Sequence, residues 1–500
     1  MVPRSEGNEA KRDGRQGVGA PHSTDEAGEP APGDPAEGRG RRSHDALEGK
    51  AMGIPSPSTV CTKRQRVAEL ARRMPGKVLT SLSHHIDLEW MREAYRLTRK
   101  DGAVGIDGQG AREFAENLDE NLQELLDRAK SGRYRAPAVR RVHIPKGRDE
   151  TRPIGIPTFG DKVLQRAVTM VMEPVYEQDF LDCSYGFRPG RTAHQAVQRL
   201  WSGLMEMGGG WVLDLDIRSF FDSLDRKKLQ QILRQRVNDG VVTRLVGKWL
   251  NAGVMESGQL SYPDAGTPQG GVISPLLANI YLHEVLDLWF YEQVIARLAG
   301  RAFLVRYADD VVMCFEREDD ARRVLDVLPR RLGKYGLSLH PDKTRLVEFR
   351  RPPRRIVRRD RNGSTRGGTF DFLGFTHFWA RSWKGGWVLK RCTASNRLSR
   401  ALSAVARWCR LNRHLPIREQ HAMLVSKMRG HYAYYGITGN GRGICGFEHH
   451  VRQIWRKWLD RRGSNRSMGW ERFKRMLERY PLPPAVVVHS MYRRPASMVS

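Results

Sequence analysis

Two neighbouring acids between apolar segments are the first residues of this chain with the potential for chemistry. Asp309 and Asp310 follow Tyr307-Ala308, with the run 303–306 before them and the apolar run 311–315 after them. Two adjacent carboxylates at a strand turn are costly to bury unless cations compensate their charge. A hairpin that presents both acids to Mg²⁺ would remove that cost. A solvated polar turn is the plain alternative, because Asp-Asp pairs are common in turns.

A further carboxylate is available in the segment 211–217, where Asp214 and Asp216 are two residues apart. Alternate residues of a strand share a face, so the two side chains can point together, although a solvated strand edge would use the same pattern. Two Mg²⁺ ions about 3.5–4 Å apart, held by a few carboxylates and substrate phosphates, are the usual device for nucleotidyl transfer. Together with Asp309 and Asp310, this segment favours a magnesium-dependent site of that kind.

Cations and glycines that suit a phosphate-bearing substrate lie upstream of the acid pair. Lys146 and Arg152 stand next to glycine and proline turns, where they could grip a triphosphate, although such cations are more often simply solvated. The segment 266–271, which contains Gln269, precedes an apolar run that predicts a helix. Its Gly-Gly step lets the backbone approach a ligand closely, and a loop before a core helix is the alternative.

The composition favours a polyanionic partner. Lys and Arg number 85 and Asp and Glu 56, which gives a formal net charge of +29 at pH 7. Nucleic acid is the leading partner class and an anionic membrane surface the lesser one. The six cysteines form no C-x-x-C pair, so we expect neither a zinc site built from cysteine pairs nor a disulfide framework. No segment approaches the roughly 20 apolar residues of a membrane helix, so we expect a soluble, cytoplasmic protein.

The chain divides into four segments by composition and periodicity. Residues 1–58 are rich in Gly, Pro, Glu, Ser and Arg, and predict a disordered tail of mixed charge. Residues 59–130 are basic and carry short amphipathic patterns, which predict helices. In residues 131–383 short β-branched or aromatic runs alternate with helical stretches, so we expect an α+β fold. Residues 384–500 are Arg-rich with apolar residues at helical spacing, and predict an α-helical domain.

The helical end of the chain combines cations with closely spaced aromatic residues in 427–436 and 454–462. Basic side chains neutralise phosphates and exposed rings stack on unpaired bases, so we expect RNA contacts here. Trp455 and Trp458 are three residues apart and favour the alternative of one buried helix face. The candidate RNA-binding residues are Arg429, Tyr434, Arg456, Lys457, Arg461 and Arg462.

Five motifs, in this order, resemble those of the reverse transcriptases of group II introns, also called maturases. They are Ser184-Tyr-Gly-Phe-Arg-Pro-Gly190, Thr267-Pro-Gln-Gly-Gly271, Tyr307-Ala-Asp-Asp310, Leu337-Ser-Leu-His-Pro-Asp-Lys343 and Phe370-Asp-Phe-Leu-Gly-Phe375. The resemblance runs from about Leu79 to Met491. It implies a right-hand polymerase, with fingers and palm in 131–383 and an α-helical thumb and RNA-binding maturase domain in 384–500. Residues 59–130 resemble the family's N-terminal extension.

The resemblance also implies roles for single residues. Asp216 and Asp309 resemble the primary ligands of two catalytic Mg²⁺ ions, and Asp310 resembles the third acid. Asp214 lies outside the matched position and is expected only to support its strand. Phe221, five residues after Asp216, matches the bulky gate that clashes with a ribose 2′-OH and so selects deoxynucleotides.

Four further residues correspond to the nucleotide-binding positions of the family. Lys146 and Arg152 resemble the fingers residues that hold the incoming triphosphate. Gln269 resembles a residue of the nucleotide pocket. Lys343 resembles a lysine suggested to aid the departure of pyrophosphate.

The function implied is that of an RNA-directed DNA polymerase encoded by a mobile group II intron. Such a protein binds intron RNA to promote its splicing and copies it into cDNA during retrohoming. The expected partners are therefore intron RNA, an RNA template with a DNA primer, deoxynucleotides and a DNA target site. The chain stops at Ser500 without paired cysteines, so we expect a type without an endonuclease domain, for which a nascent strand or a host nick is a compatible primer.

Two other functions stay open on the sequence. One is an RNA-binding maturase that acts only in splicing, against which the presence of Asp216, Asp309 and Asp310 argues. The other is a related reverse transcriptase recruited to host defence or repair, which genomic surroundings without intron RNA would support. An RNA-dependent RNA polymerase is less favoured, because Phe221 should exclude ribonucleotides.

Overall fold

The structure is a computed structural model that describes residues 57–145, 151–256, 258–262, 270–353, 368–462 and 467–490. All of these residues belong to the unit Gly38–Ser500. The predicted tail, apart from its last two residues, lies outside the described ranges, and so do Lys146 and Gln269.

Helices and strands are mixed along the described chain, which makes the fold α+β, as the sequence predicted. The helices are α1 (Pro57–Arg73), α2 (Leu88–Leu97), α3 (Ala111–Glu116), α4 (Leu118–Ser131), α5 (Phe159–Tyr176), α6 (Ala193–Met207), α7 (Phe220–Ser223), α8 (Arg226–Arg236), α9 (Gly240–Leu250), α10 (Ser274–Leu282), α11 (Glu318–Gly333), α12 (Ser395–Leu411), α13 (Ile417–Tyr435), α14 (Gly441–Asp460) and α15 (Trp470–Arg479). Within the described ranges, no helix is long and apolar enough to cross a membrane.

The strands form three sheets of the orders β2-β1-β4-β5, β6-β7-β3-β8 and β9-β10-β11. They are β1 (Val139–Pro145), β2 (Thr151–Ile156), β3 (Trp211–Leu215), β4 (Val254–Glu256), β5 (Gln259–Ser261), β6 (Ala302–Tyr307), β7 (Asp310–Phe315), β8 (Arg345–Glu348), β9 (Phe370–Phe372), β10 (Phe375–Arg381) and β11 (Trp387–Thr393).

The sheet β6-β7-β3-β8 is antiparallel and is buried on both faces. Because side chains alternate along a strand, Leu213 and Leu215 face a first core, which is shared with α1 to α5 and α7 to α11, whereas Val212 faces a second core. The second core lies between this sheet, α6 and the sheet β9-β10-β11. Strands buried on both sides read as continuous apolar runs, so the charged residues in them stand out.

The N-terminal helices pack onto α5, most of whose residues are buried. Asp87 begins α2 by accepting a hydrogen bond from the Trp90 backbone N–H, and the Trp90 indole donates to the Ala167 carbonyl at 2.9 Å. Helices therefore do occupy the predicted extension, but they share the first core with the residues that follow. That these helices form a domain of their own stays a prediction.

The helical C-terminal region begins later than the sequence predicted. The sequence predicts its start at residue 384, but Trp387–Thr393 forms β11, which pairs with β10 along its full length, and the first helix starts at Ser395. The segment alternates buried and half-buried side chains with a period of two, which favours a strand over a helix. From Ser395 onward, α12 to α15 surround a third core that contains Trp455 and Phe473.

Candidate active site

The hairpin between β6 and β7 carries the acid pair. Tyr307 pairs with Asp310, so Ala308 and Asp309 form a two-residue loop. Ala308 is buried and has a backbone φ of +57°, a conformation that costs a residue with a side chain roughly 1–2 kcal/mol. Such backbone strain persists only where the surroundings hold it in place.

A buried hydrogen-bond network holds this loop from behind. Arg306 is fully buried and donates to both carboxylate oxygens of Asp287, at 2.8 and 2.5 Å, and to Asn279 Oδ1 at 2.8 Å. It also donates to the Ala308 carbonyl at 3.1 Å. Asn279 in turn donates to the Gly186 carbonyl at 2.7 Å, and a Cβ at Gly186 would lie 2.3 Å from the Ala308 nitrogen. The network and this close backbone contact together set the position of the acid loop.

Asp287 belongs to a π-helical segment, His283–Val294, that continues α10. Its carboxylate is fully buried, which by itself would raise its pKa, but the charge and hydrogen bonds of Arg306 and His283 hold the pKa below its ordinary value. Asp287 is therefore a permanent anion that neutralises Arg306. Removing either partner would leave a buried charge without compensation.

The remaining acids meet the hairpin on one face of the sheet. Asp214 lies opposite Val312 and Leu215 opposite Val311, and continuing this register places Asp216 beside Asp310. Burial, followed by the charges of Asp309, Asp216 and Asp214, raises the pKa of Asp310 to about 7. Asp310 keeps some surface in contact with solvent at the end of its strand, while protein atoms crowd its carboxylate and raise its pKa, so the recess is narrow but open to an ion.

This donor set suits a divalent cation that is also held by a substrate. Repulsion among the carboxylates favours binding of a cation, because a positive charge stabilises the ionised forms. In the described part of the chain, no three acidic, histidine or cysteine side chains are gathered closely enough to enclose a metal by themselves. Mg²⁺ commonly uses only one or two protein carboxylates and completes its shell with water and substrate phosphates. The residues present therefore fit a magnesium ion shared with a phosphate-bearing substrate.

Two cations from the other side of β3 approach the acids. Lys343 lies 3.6 Å from Asp216, between the Nζ and Oδ2 atoms, and the His340 backbone N–H donates to the Asp216 carbonyl at 2.8 Å. Arg345 lies 3.4 Å from Asp214, yet burial prevails and raises the pKa of Asp214 to about 6. The structure thus brings the predicted residue Lys343 to Asp216, and it pairs Asp214 with the neighbouring strand.

Phe221 follows Asp216 on the short helix α7. The residue before this helix, Ser219, has a φ of +44°, so the chain turns sharply between the acid and the ring. Phe221 is half-buried, and its ring meets that of Phe220 edge to face at 5.2 Å. One side of the ring is therefore supported by the first core, while part of it stays accessible.

Gly270, which follows the undescribed part of the glycine-rich segment, lies against strand β2. Gly270 has a φ of +121°, and a Cβ there would lie 2.5 Å from the Gly155 carbonyl oxygen of β2. Arg152, half-buried on the same strand, pairs with Ile144 of β1. Lys146 and Gln269 adjoin β1 and Gly270 in the sequence but lie outside the described residues, so their positions stay a prediction.

Comparisons with known proteins identify the family. The family model for "Reverse transcriptase (RNA-dependent DNA polymerase)" matches residues 144–377, which include Asp214, Asp216, Asp287, Asp309 and Asp310. Protein YkfC of Escherichia coli (strain K12) is 35% identical over 299 residues, 52% of this chain and 76% of that protein. Group II intron-encoded protein LtrA of Lactococcus lactis subsp. cremoris is 41% identical over 169 residues, 33% of this chain and 28% of LtrA. The chain belongs to the group II intron reverse transcriptases.

A further relative carries the name of an intron maturase. Nuclear intron maturase 4, mitochondrial, of Arabidopsis thaliana is 25% identical over 295 residues, 51% of this chain and 35% of that protein. The match to LtrA spans less than a third of LtrA's length.

In this reverse transcriptase, four of the predicted RNA-binding cations are exposed on the C-terminal helices or just after them. They are Arg429, Lys457, Arg461 and Arg462. The Arg461 guanidinium lies 5.2 Å from the Trp458 ring centre, and Arg462 also donates to the Leu415 carbonyl. Their exposure is compatible with phosphate contact, which stays a prediction.

Arg456, Tyr434 and the tryptophans have contacts within the protein instead. Arg456 is half-buried, donates to the Met468 carbonyl at 3.0 Å and lies 4.4 Å from the Trp470 ring centre. Tyr434 donates to the Leu373 carbonyl at 2.9 Å and stacks on Phe375, which favours a core role over base stacking. Trp455 is fully buried, as the core alternative predicted.

The network residues Arg306, Asp287, Asn279 and Gly186 were missed by reasoning from the sequence. A signal was present, because Arg306 is a charged residue inside an otherwise apolar strand. Its partners are distant in sequence, so only the fold identifies them.

Proposed function

We propose that this reverse transcriptase is an RNA-directed DNA polymerase in which Asp216, Asp309 and Asp310 hold two Mg²⁺ ions. The observation that carries the proposal is the meeting of the Asp216 strand end and the Tyr307–Asp310 hairpin on one sheet face, with the pKa of Asp310 raised to about 7 by burial and the surrounding acids. When bound, Mg²⁺ would lower the pKa of the primer 3′-OH and neutralise charge on the departing pyrophosphate.

The protein's own part is to position the reactants and to select the nucleotide. Arg152, with Lys146, would hold the triphosphate through charge-assisted hydrogen bonds, and Gln269 would line the nucleotide pocket. Phe221 would exclude a ribose 2′-OH by contact with its supported ring. Lys343, next to Asp216, would place a positive charge near the leaving phosphates.

The three cores support an assignment to the parts of a right-hand polymerase. The sheet β6-β7-β3-β8 would be the palm, and α5 with the sheet β2-β1-β4-β5 the fingers. The helices from Ser395 onward would form the thumb and the maturase domain. The helices before residue 131 would be the N-terminal extension.

We further propose that intron RNA is the partner of the basic C-terminal helices, and that binding promotes its splicing and its copying into cDNA during retrohoming. Support comes from the printed names of the intron-encoded and maturase relatives. The exposed cations Arg429, Lys457, Arg461 and Arg462 supply the complementary charge. A DNA target site would provide the primer.

The test is primer extension on an RNA template with Mg²⁺ and deoxynucleotides. Asp309→Ala is expected to abolish DNA synthesis while RNA binding is retained, because the mutation removes a metal ligand and no RNA contact. Asp319→Ala, which removes an exposed acid of α11, is the matched control and should extend primers normally. Normal synthesis by Asp309→Ala would refute the assigned site. RNA binding without DNA synthesis by the unaltered protein would favour the function confined to splicing.

A further inference from the structure

The tip of the β10–β11 hairpin exposes the largest aromatic side chain to solvent. Trp383 is 93% exposed, whereas Trp379 and Trp387 of the same hairpin are buried in the second core. A tryptophan normally buries most of its surface, because its ring is the largest apolar group of the natural side chains. An exposed ring at a hairpin tip is therefore available to a partner.

The tip is ordered by its own hydrogen bonds. The Ser382 backbone N–H donates to the Gly386 carbonyl at 2.7 Å, and the Gly385 N–H donates back to the Ser382 carbonyl at 3.0 Å. Arg381 donates to the Gly385 carbonyl at 2.7 Å and covers the Trp387 ring, with 4.5 Å between its guanidinium carbon and the ring centre. Trp383 is thus presented by a fixed turn, so binding to it would cost little ordering entropy.

The charge around the tip is positive. Arg381 and Lys384 flank Trp383 and are exposed, and Arg351 lies over Trp379 of the same hairpin at 5.2 Å. From Phe372 to Arg418 the sequence contains ten Lys or Arg residues and no Asp or Glu. A polyanion can approach this side of the molecule without meeting a carboxylate of the same segment.

The tip is far from the acids. The other end of β10, at Phe375, packs on Tyr434. Burial, and then the nearby groups Tyr435 and Tyr307, raise the pKa of Tyr434. Tyr307 belongs to the acid hairpin, so this end of β10 is the one near the acids. Six residues separate Phe375 from Arg381, a distance of about 20 Å along an extended strand. A ligand at Trp383 therefore lies outside the candidate active site.

We propose that the hairpin tip binds an unpaired nucleotide of RNA, with a base stacked on Trp383 and the adjoining phosphates held by Arg381 and Lys384. Stacking on an aromatic side chain tolerates any base, and unpaired bases are the usual targets of such rings in RNA. The inference rests on the proposed function in taking RNA as the partner. It adds an RNA site that lies about one strand length away from the candidate active site.

The experiment uses the full chain with its active site occupied by an RNA template–DNA primer duplex. An RNA stem-loop with 2-aminopurine in an adenosine loop is then added in trans, and its fluorescence and anisotropy are followed. Stacking on Trp383 should quench the probe. Trp383→Ala should lose the quenching and weaken binding by about fivefold or more, whereas Trp383→Phe should keep most of both effects. Lys384→Ala should reduce the number of counterions released on RNA binding by about one, as measured from the dependence of the affinity on salt concentration.

Two controls match these variants. Leu411→Ala removes another exposed apolar side chain, and Lys474→Ala removes another exposed cation; neither should change the quenching. Because the tip is distant from the acids, Trp383→Ala should extend a primer on an unstructured template at the rate of the unaltered protein.

The possible results distinguish the RNA site at the tip from the polymerase activity. Equal quenching and affinity for Trp383→Ala and the unaltered protein would overturn the proposal, and so would stronger quenching by the same loop made of DNA. Quenching that depends on Trp383 in a protein that cannot extend primers would refute the polymerase while supporting the RNA site at the tip.

Discussion

At the scale of single residues, the candidate site is governed by the repulsion among its acids. The pKa of Asp310 is raised to about 7, because protein atoms crowd its carboxylate and Asp309, Asp216 and Asp214 repel a further negative charge. Lys343 partly neutralises Asp216, and Arg345 partly neutralises Asp214. Of the three acids that we propose as metal ligands, Asp310 is therefore the one that a bound cation would ionise.

The selectivity of the nucleotide pocket is tested at Phe221. Phe221→Ala is expected to raise incorporation of ribonucleotides relative to deoxynucleotides by about tenfold or more, because it removes the wall that would clash with a 2′-OH. Single-nucleotide extension with each substrate measures the ratio. Phe221→Tyr keeps the bulk of the ring and should retain the selectivity. An unchanged ratio in Phe221→Ala would exclude the gate.

At the scale of elements, the acid hairpin is held from behind by side chains that are fully buried in the protein. The π-helical segment carries Asp287 to Arg306, and Arg306 holds the carbonyl of Ala308 inside the loop. A strained loop stays in one conformation only while this support is intact. Asp287 and Arg306 are therefore positioning residues for Asp309.

Asp287→Asn tests this support. It leaves the buried Arg306 charge without an anion, so the free energy of unfolding should fall by about 3–5 kcal/mol, with a matching loss of DNA synthesis. Calorimetry and primer extension measure the two effects. Glu316→Gln, which breaks the exposed pair with Arg301, should leave the unfolding midpoint nearly unchanged. A midpoint equal to that of the unaltered protein in Asp287→Asn would contradict the role of the network.

At the scale of the whole molecule, buried titratable groups act on stability in opposite directions. Burial lowers the pKa of His377 to about 3 and that of His431 to about 4. Burial raises the pKa of Asp161 to about 7. The histidines contribute stability above their unfolded pKa near 6.5 that is lost as the pH falls, whereas Asp161 contributes stability at low pH that is lost as the pH rises towards 7.

A variant separates these effects. Within the described residues, neither ring nitrogen of His377 has a hydrogen-bond partner, and Arg391 of the neighbouring strand opposes its protonation. His377→Phe should therefore gain stability relative to the unaltered protein as the pH falls from about 6.5 to 4, by up to about 1.4 kcal/mol per pH unit. Urea denaturation at several pH values measures the difference. A difference that stays constant with pH would show that His377 is protonated in the folded protein.

The sequence by itself determined which residues are the candidates for chemistry in this protein. The acids, their order along the chain and the apolar runs around them are local features, and period-two alternation was enough to expect Asp214 and Asp216 on one face. The α+β class followed from the same local patterns. The excess of cations was a matter of composition and did not depend on the fold.

Only the tertiary structure decided which side chains meet. The partners of Arg306 come from segments up to about 120 residues away, and their attraction depends on burial that no local pattern reports. The same is true of Tyr434, whose aromatic and basic surroundings predicted RNA contact but whose ring packs on Phe375. The start of the helical region was misplaced because pairing with β10 stabilises Trp387–Thr393 as a strand. Long-range packing overrides local preference in these cases, since most of the free energy of burial comes from contacts between distant segments.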